Sequence, residues 1–405
     1  MTERNSNYGW VIVAICCAFQ WIVYGTYGTY SFFVRPWQGE FGSPLEQIVL
    51  PLAIGHIGMM LGSMAAGSLL DRLPINRIVA AGLAINAAGF LAVSYARSMP
   101  EVMVAFSIAL IGGGALSGQL TAQTLVTKWF TAKRGLALGV VTVGLNLAGL
   151  VGVTIVAAVL PDHGWRVTFQ VLAALAAIQV PIALLFIRNP PPAVGEVVSV
   201  DAALGGHAGQ TGGAGSILRT AAFWQIGLAI LFPVVGIATL VALLEPITHD
   251  AGLSLAEART LMQLLAVCGI TSLVAGRLCD RLNFRVILIA MLTLNSAGLL
   301  MMAYASTYAT LIAGVFLMGI GQAINLPLFA SVTARAFGPA RFGQAMGLLM
   351  FFFLAGAAAG PAAALVKEAT GTYAAWFVFM AAGVVVCGLP MMLLRLDRSP
   401  APAPA

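Results

Sequence analysis

GSLLDRLPINR, residues 67–77, and GRLCDRLNFR, residues 276–285, place Gly, Leu, Asp and Arg at the same internal spacing, 209 positions apart. Each copy is a short charged turn between two long apolar runs. The pattern on either side of the turn therefore decides what kind of chain this is.

The 405 residues are 60% hydrophobic and 8% charged, whereas a soluble domain carries roughly 25% charged residues. So few charges cannot cover a globular surface, and lipid must solvate most of the chain. The apolar runs suit helices, which need about 20 residues at about 1.5 Å each to cross a hydrocarbon core of about 30 Å. They are too long and too uniformly apolar for strands of an outer-membrane barrel. Twelve such runs are expected, near 9–33, 46–70, 76–95, 101–127, 135–160, 166–187, 221–244, 256–279, 285–304, 308–334, 342–366 and 374–394. The start, MTERNSNYGW, leads straight into a full-length run and does not read as a removable signal peptide.

Orientation follows from the basic residues. With a cytoplasmic amino terminus, fifteen of the twenty Lys and Arg fall on the cytoplasmic side and five, Arg35, Arg97, Arg166, Arg259 and Lys367, fall outside. That asymmetry fits the positive-inside rule and puts both termini in the cytoplasm. The net charge of +6 is thus a matter of topology, and the scattered loop charges give no nucleic-acid footprint. Cys16, Cys17, Cys268, Cys279 and Cys387 all lie in apolar runs, without metal-ligand spacing or a disulfide framework, and read as small apolar fillers.

The repeat extends beyond the charged turn. GGG at 112–114 matches GIG at 319–321, and GWRVTF at 164–169 is loosely matched by TYAAWF at 372–377. Offsets near 208 make this a parallel repeat, six helices followed by six, the arrangement in which two halves rock about a central site. The expected organisation is an amino-terminal bundle (1–187), a Pro- and Gly-rich cytoplasmic linker (188–218) with a solvated His207, a carboxy-terminal bundle (219–395) and an unstructured tail (396–405).

Motif, offset and helix count together resemble the major facilitator superfamily over essentially the whole chain. YGWVIV (8–13), YSFFVRPW (30–37) and KWFTAKRGLALG (128–139) are similar to the branch holding the monocarboxylate and oxalate/formate carriers. The resemblance implies an all-α membrane protein that moves a small solute by alternating access in the bacterial cytoplasmic membrane. The solute is expected to be a small organic anion, exchanged for a counter-anion or carried with H+, with no cofactor and a monomeric state. It also implies a conformational latch in which Asp71 and Asp280 meet helix amino termini or Arg72, Arg77, Arg281 and Arg285.

A solute path needs polar side chains at mid-depth. All fourteen Asp and Glu are expected in loops or at helix ends, which leaves His56 as the candidate for proton coupling and solute contact. Gln119, Gln123, Asn146, Thr271, Ser272, Gln322 and Asn325 lie at comparable depth, either lining the path or bonding helix to helix. The run Phe351–Phe353 is better read as lipid contact or core packing than as an aromatic gate. Carboxylate carriers of the branch, as the resemblance implies, hold an arginine in the eighth span. Here Thr271 and Ser272 stand in that place, Arg277 belongs to the motif, and the central lysine of the eleventh span is missing. An anion would then rest on hydroxyls, amides, protonated His56 and helix amino termini.

YGTYGTY (24–30) offers such hydroxyls. On a helix turning about 100° per residue, its tyrosines, glycines and threonines separate into three faces, with Gln20 and Ser31 joining the phenols. Tyr24 and Tyr27 are expected on the path, and Tyr30 nearer the outer interface as an aromatic anchor. GHIGMMLG (55–62), GGGALSG (112–118), Pro51, Pro233 and Pro327 suit close helix contact and bending rather than a phosphate cradle. The alternative is efflux of a larger amphipathic or neutral compound. An embedded enzyme would need a constellation of acid, base or nucleophile that the sequence does not offer, and a sensor would ordinarily carry a soluble domain.

Overall fold

The computed structural model describes residues 3–130, 134–188, 214–305, 307–338 and 341–394, without the side chains of 3–7, 64–72, 120, 127–128, 134–136, 138–139, 142–143, 145–146, 214–215, 280 and 342–343. Most of the expected linker, including His207, and the whole tail lie outside the described residues.

The first half contains α1 (Glu3–Gly28), α2 (Ser31–Phe41), α3 (Leu45–Arg72), α4 (Ile75–Ser94), α5 (Met99–Ser117), α6 (Gln119–Trp129) and α7 (Arg134–Phe186). After a short α8 (Ala214–Leu218), the second half contains α9 (Ala221–Asp250), α10 (Leu255–Ile270), α11 (Ser272–Arg281), α12 (Phe284–Ala303) and α13 (Tyr308–Phe337). It continues with α14 (Phe342–Leu349), a 3-10 turn (Met350–Leu354), α15 (Ala355–Thr370), α16 (Ala374–Gly388) and a final 3-10 turn (Leu389–Leu393). Among the described residues there is no strand. Backbone polar groups in hydrocarbon must be satisfied within their own segment, and an unbroken helix does this.

Among the described residues, eleven helical stretches are long and apolar enough to cross a membrane. One of them belongs to α7, whose 53 residues are two helices joined at Gly164. At φ +74° Gly164 occupies a conformation that a side chain would resist. Several expected spans are interrupted. The first ends at Gly28, where the Thr29 hydroxyl bonds the carbonyls of Gly25 and Thr26, 3.1 Å each, and so competes with the helical ladder. The fourth breaks at Gly118 and the eighth at Thr271.

The repeat is visible in packing. Asn86 on α4 and Asn295 on α12 are both fully buried. Each lies against a glycine of the next long helix: a Cβ on Gly113 would fall 1.7 Å from Asn86 Nδ2, and one on Gly321 would fall 2.6 Å from Asn295 Nδ2. Elsewhere the two halves diverge. The first packs Tyr30, Phe33, Trp37, Phe106 and Phe169 into one aromatic cluster. Tyr30, expected at the outer interface, is completely buried within it, and its hydroxyl donates to the carbonyl of Ile48. α2 explains the difference, because it continues past the expected end of the first span and covers the ring.

α3 and the α10–α11 pair both end in the repeated motif and both begin at the opposite end of the molecule, called here the distal face. At that face the two halves are tied together, since Arg35 on α2 meets Glu245 on α9 at 3.5 Å. Gly321→Val should overpack the Asn295 contact and lower stability by about 1–3 kcal/mol. Thermal unfolding of the detergent-solubilised chain checks this; an unchanged melting temperature would show that the Asn–Gly contact is dispensable.

Candidate functional site

The three phenols of YGTYGTY, Tyr24 and Tyr27 on α1 and Tyr30 in the turn after it, all bond within the first half. Tyr24 accepts the backbone N–H of Gln119 at 3.2 Å. That donor is one of the four N–H groups that the start of α6 leaves without a helical acceptor. Gly118 makes the approach possible, because a Cβ there would sit 3.2 Å from the Tyr24 oxygen and 2.0 Å from the carbonyl of Gly114. Tyr27 pairs with His56 of α3, hydroxyl to Nδ1 at 3.1 Å, with ring centroids 5.8 Å apart. The glycine face is as the sequence suggests: Gly25 crosses α7 at Gly152 so closely that a Cβ on either would meet backbone atoms of the other helix.

Tyr27 and His56 line a cavity between the halves. Its other walls are Val49, Leu52 and Ala53 of α3, Ala238 and Ala242 of α9, and Gly356, Ala357, Gly360 and Pro361 of α15. The cavity volume is about 10 Å³, room for one water. His56 Nε2 is buried there without a hydrogen-bond partner, and the backbone of Phe353 approaches the ring from the second half. The site therefore offers one phenol, one imidazole and an otherwise apolar wall.

At the cavity's distal end the halves pinch together. A Cβ on Gly360 would lie 3.2 Å from the Cβ of Ala242 and 3.2 Å from that of Val49, so α15, α9 and α3 meet at one point. Further along the interface, Gln263 of α10 donates to the hydroxyl of Thr154 on α7 at 3.1 Å.

The other expected residues have separate surroundings. Gln20 is buried and turns its amide back to the Cys16 carbonyl at 3.3 Å. Gln322 donates to the carbonyl of Pro233 and accepts from Asn325, both at 2.5 Å, so this pair ties α13 to α9. Gln123 is half-buried, as is Ser272, which opens α11 directly after Thr271. The side chains of Asn146, Asp71, Arg72 and Asp280 lie outside the described residues. Arg77 and Arg281 are exposed, while Arg285 stays within its half, its guanidinium 3.4 Å from the Leu394 carbonyl.

Two functional positions escaped the sequence reading. Arg335 of α13 donates to the carbonyl of Cys279 at 3.2 Å and so holds the end of α11 that carries the motif. Glu245, expected in a loop or at a helix end, is a buried residue of α9, which runs on to Asp250. The expected run stopped at 244, yet Pro246 also sits inside the helix. A useful signal was the continuation of apolar residues around and beyond Glu245 in ALLEPIT, residues 242–248.

The chain matches the Major Facilitator Superfamily over residues 10–269 and 227–405, and belongs to that family of membrane transporters. Monocarboxylate transporter 13 of Bos taurus is 23% identical over 378 residues, 92% of this chain and 86% of that protein. The oxalate:formate antiporter of Oxalobacter formigenes is 22% identical over 247 residues, 60% of this chain and 57% of its own. The uncharacterized MFS-type transporter YcxA of Bacillus subtilis is 29% identical over 175 residues, 42% of each chain. Among solved structures, a bacterial homolog of the human lysosomal transporter Spinster, inward-facing and occupied, aligns at TM-score 0.75 and 13% identity. It covers 95% of this chain and 96% of that one, a likeness of fold alone.

Gly360→Leu should wedge the three-helix pinch and disfavour the closed distal face by about 1–3 kcal/mol, a shift of about 5- to 150-fold. Reaction of a cysteine placed at Ala53 with a membrane-impermeant reagent added from the distal side should rise accordingly. Unchanged labelling would mean that the pinch is not the barrier.

Proposed function

We propose that this chain is a secondary carrier for a small organic acid of the monocarboxylate type, working by alternating access without a cofactor. The observation that carries this reading is the Tyr27–His56 pair, two polar side chains facing an otherwise apolar cavity between the halves. A carboxylate needs hydrogen-bond donors there, and a phenol O–H and an imidazole N–H supply them. Full-length similarity to monocarboxylate transporter 13 supports the solute class.

The break at Gly164 supports counting α7 as two crossings, for twelve in all, arranged as two six-helix bundles (1–187 and 219–395) joined by the linker at 188–218. The fifteen-to-five distribution of basic residues supports a cytoplasmic motif face and an external distal face. The distal contacts then describe a carrier open toward the cytoplasm, in the manner of the inward-facing Spinster homolog. Gln20, Tyr24, Gln119, Gln123, Asn146, Ser272, Gln322 and Asn325 contribute to the solute path as it opens. Asp71 and Asp280, with Arg72, Arg77, Arg281 and Arg285, latch the motif face when the carrier turns outward.

Coupling is by H+ symport or anion exchange, with His56 as the coupling group. A second reading, efflux of a larger amphipathic compound, draws on the mostly apolar cavity wall and on Thr271 and Ser272 in the eighth span.

Proteoliposomes holding the full chain, offered labelled mono- and dicarboxylates with and without an imposed proton gradient, should accumulate at least one monocarboxylate. Accumulation driven by the gradient marks symport, and uptake that needs an internal anion marks exchange. If no carboxylate moves while an amphipathic dye is extruded, the carboxylate reading fails. His56→Gln should flatten the pH profile of transport; an unchanged profile would remove His56 from the coupling.

A further inference from the structure

Glu245 occupies a position that the solute site does not use. Ala238, Ala242 and Glu245 stand at i, i+4 and i+7 on α9, one face of a helix. Ala238 and Ala242 line the cavity, so Glu245 sits one turn beyond it toward the distal face. Its carboxylate is buried, with its side chain 7% exposed, while the Arg35 side chain opposite is 46% exposed. Oε1 faces Arg35 Nη1 at 3.5 Å, and Oε2 is buried with no hydrogen-bond partner. The two residues belong to different halves, so the pair closes the cavity from above.

The neighbouring charges leave Arg35 as the balancing group. On α9 itself, His249 and Asp250 are exposed, and Asp250 is already paired with Lys367 of α15. Tyr373, ahead of α16, senses both Glu245 and Asp250. Burial, reinforced by the two carboxylates, raises its phenol above the ordinary range and keeps it neutral. The Lys367 ammonium lies over the Tyr373 ring, 4.6 Å from its centroid.

We infer that Glu245 is a proton-binding site that unlocks the distal gate: a proton taken at Oε2 from the distal solvent neutralises the carboxylate, frees Arg35 and lets the halves part. If they parted with Glu245 ionised, the attraction between carboxylate and guanidinium would be lost as the two separate. Protonation removes that cost. The guanidinium stays charged and takes up water, and when the halves close again Glu245 gives the proton back as Arg35 returns. Proton binding and distal opening therefore favour each other reciprocally. The inference rests on the carrier reading above, but it concerns a gate and does not depend on which solute is carried.

The test measures conformation without solute. Spin labels at Gly39 of α2 and Ala251 just past α9, in the full chain with its native cysteines replaced, report the distal separation in nanodiscs from about pH 8 to about pH 5. The wild-type separation should lengthen as the pH falls. Glu245→Gln should be open throughout, with the open-to-closed ratio at the alkaline end raised at least tenfold. Arg35→Gln should lose the pH dependence, and the exchanged pair Arg35→Glu with Glu245→Arg should restore closure at the alkaline end. If Glu245→Gln fails to fold, the wild-type titration and Arg35→Gln decide. A separation independent of pH, or one that titrates equally in wild type and Arg35→Gln, overturns the gate. A distance that titrates through Glu245 while no carboxylate is transported upholds the gate and removes only the solute assignment.

Discussion

In hydrocarbon, a backbone amide or carbonyl that leaves its helix finds no water to replace the lost bond, and the polar side chains of this chain are spent largely on that problem. Where α5 gives way to α6 at Gly118, the Tyr24 phenol accepts the freed N–H of Gln119. Where α10 breaks from α11, the Thr271 hydroxyl returns to the Cys268 carbonyl at 2.6 Å. The carbonyl of Pro233, inside α9, receives the Gln322 amide. Each bend thus carries its own partner.

The two halves share a scaffold and differ in what they build on it. Asn86 against Gly113 and Asn295 against Gly321 are one packing solution used twice. The aromatic cluster around Trp37 belongs to the first half, where α2 folds back over it. α2 consequently does two jobs, closing that cluster from above and carrying Arg35 across to the second half. A rigid, well-packed cluster beneath the Arg35–Glu245 pair is a sound base for a gate, since the body moves as a unit.

Much of the fold was legible because lipid leaves so few solutions: the charged turns at 67–77 and 276–285, the offset near 208 and the length of the apolar runs led directly to paired helical halves. The site was harder to read. Tyr27 and His56 are 29 positions apart, and composition alone gives no hint that their rings touch. Gln322 and Asn325 look like cavity residues at their depth, yet they bond to each other and to a neighbouring helix. Glu245 lay just past the expected end of its run at 244, but α9 carries on through Pro246, because lipid-embedded helices tolerate proline where soluble ones do not. Tyr30 was misplaced for a related reason: a span that ends on paper at the membrane surface continues here as a second helix, which buries the ring.

The five-residue 3-10 turn at Met350–Leu354 has a consequence for reading the eleventh span. Such a turn advances about 120° per residue against about 100° in an α-helix, so five residues add roughly 100° of rotation and about 2.5 Å of length. A helical wheel drawn straight through this span therefore assigns everything beyond Leu354 to the wrong side by more than a quarter circle. Phe351 points outward at 73% exposure while its neighbour Phe352 is buried at 9%. Past the turn, the added rotation is what brings Gly356 and Gly360 round to face α9. The phenylalanine run is thus a phase adjuster, and its hydrogen-bonding pattern, more than its aromatic character, decides which atoms meet at the centre of the protein.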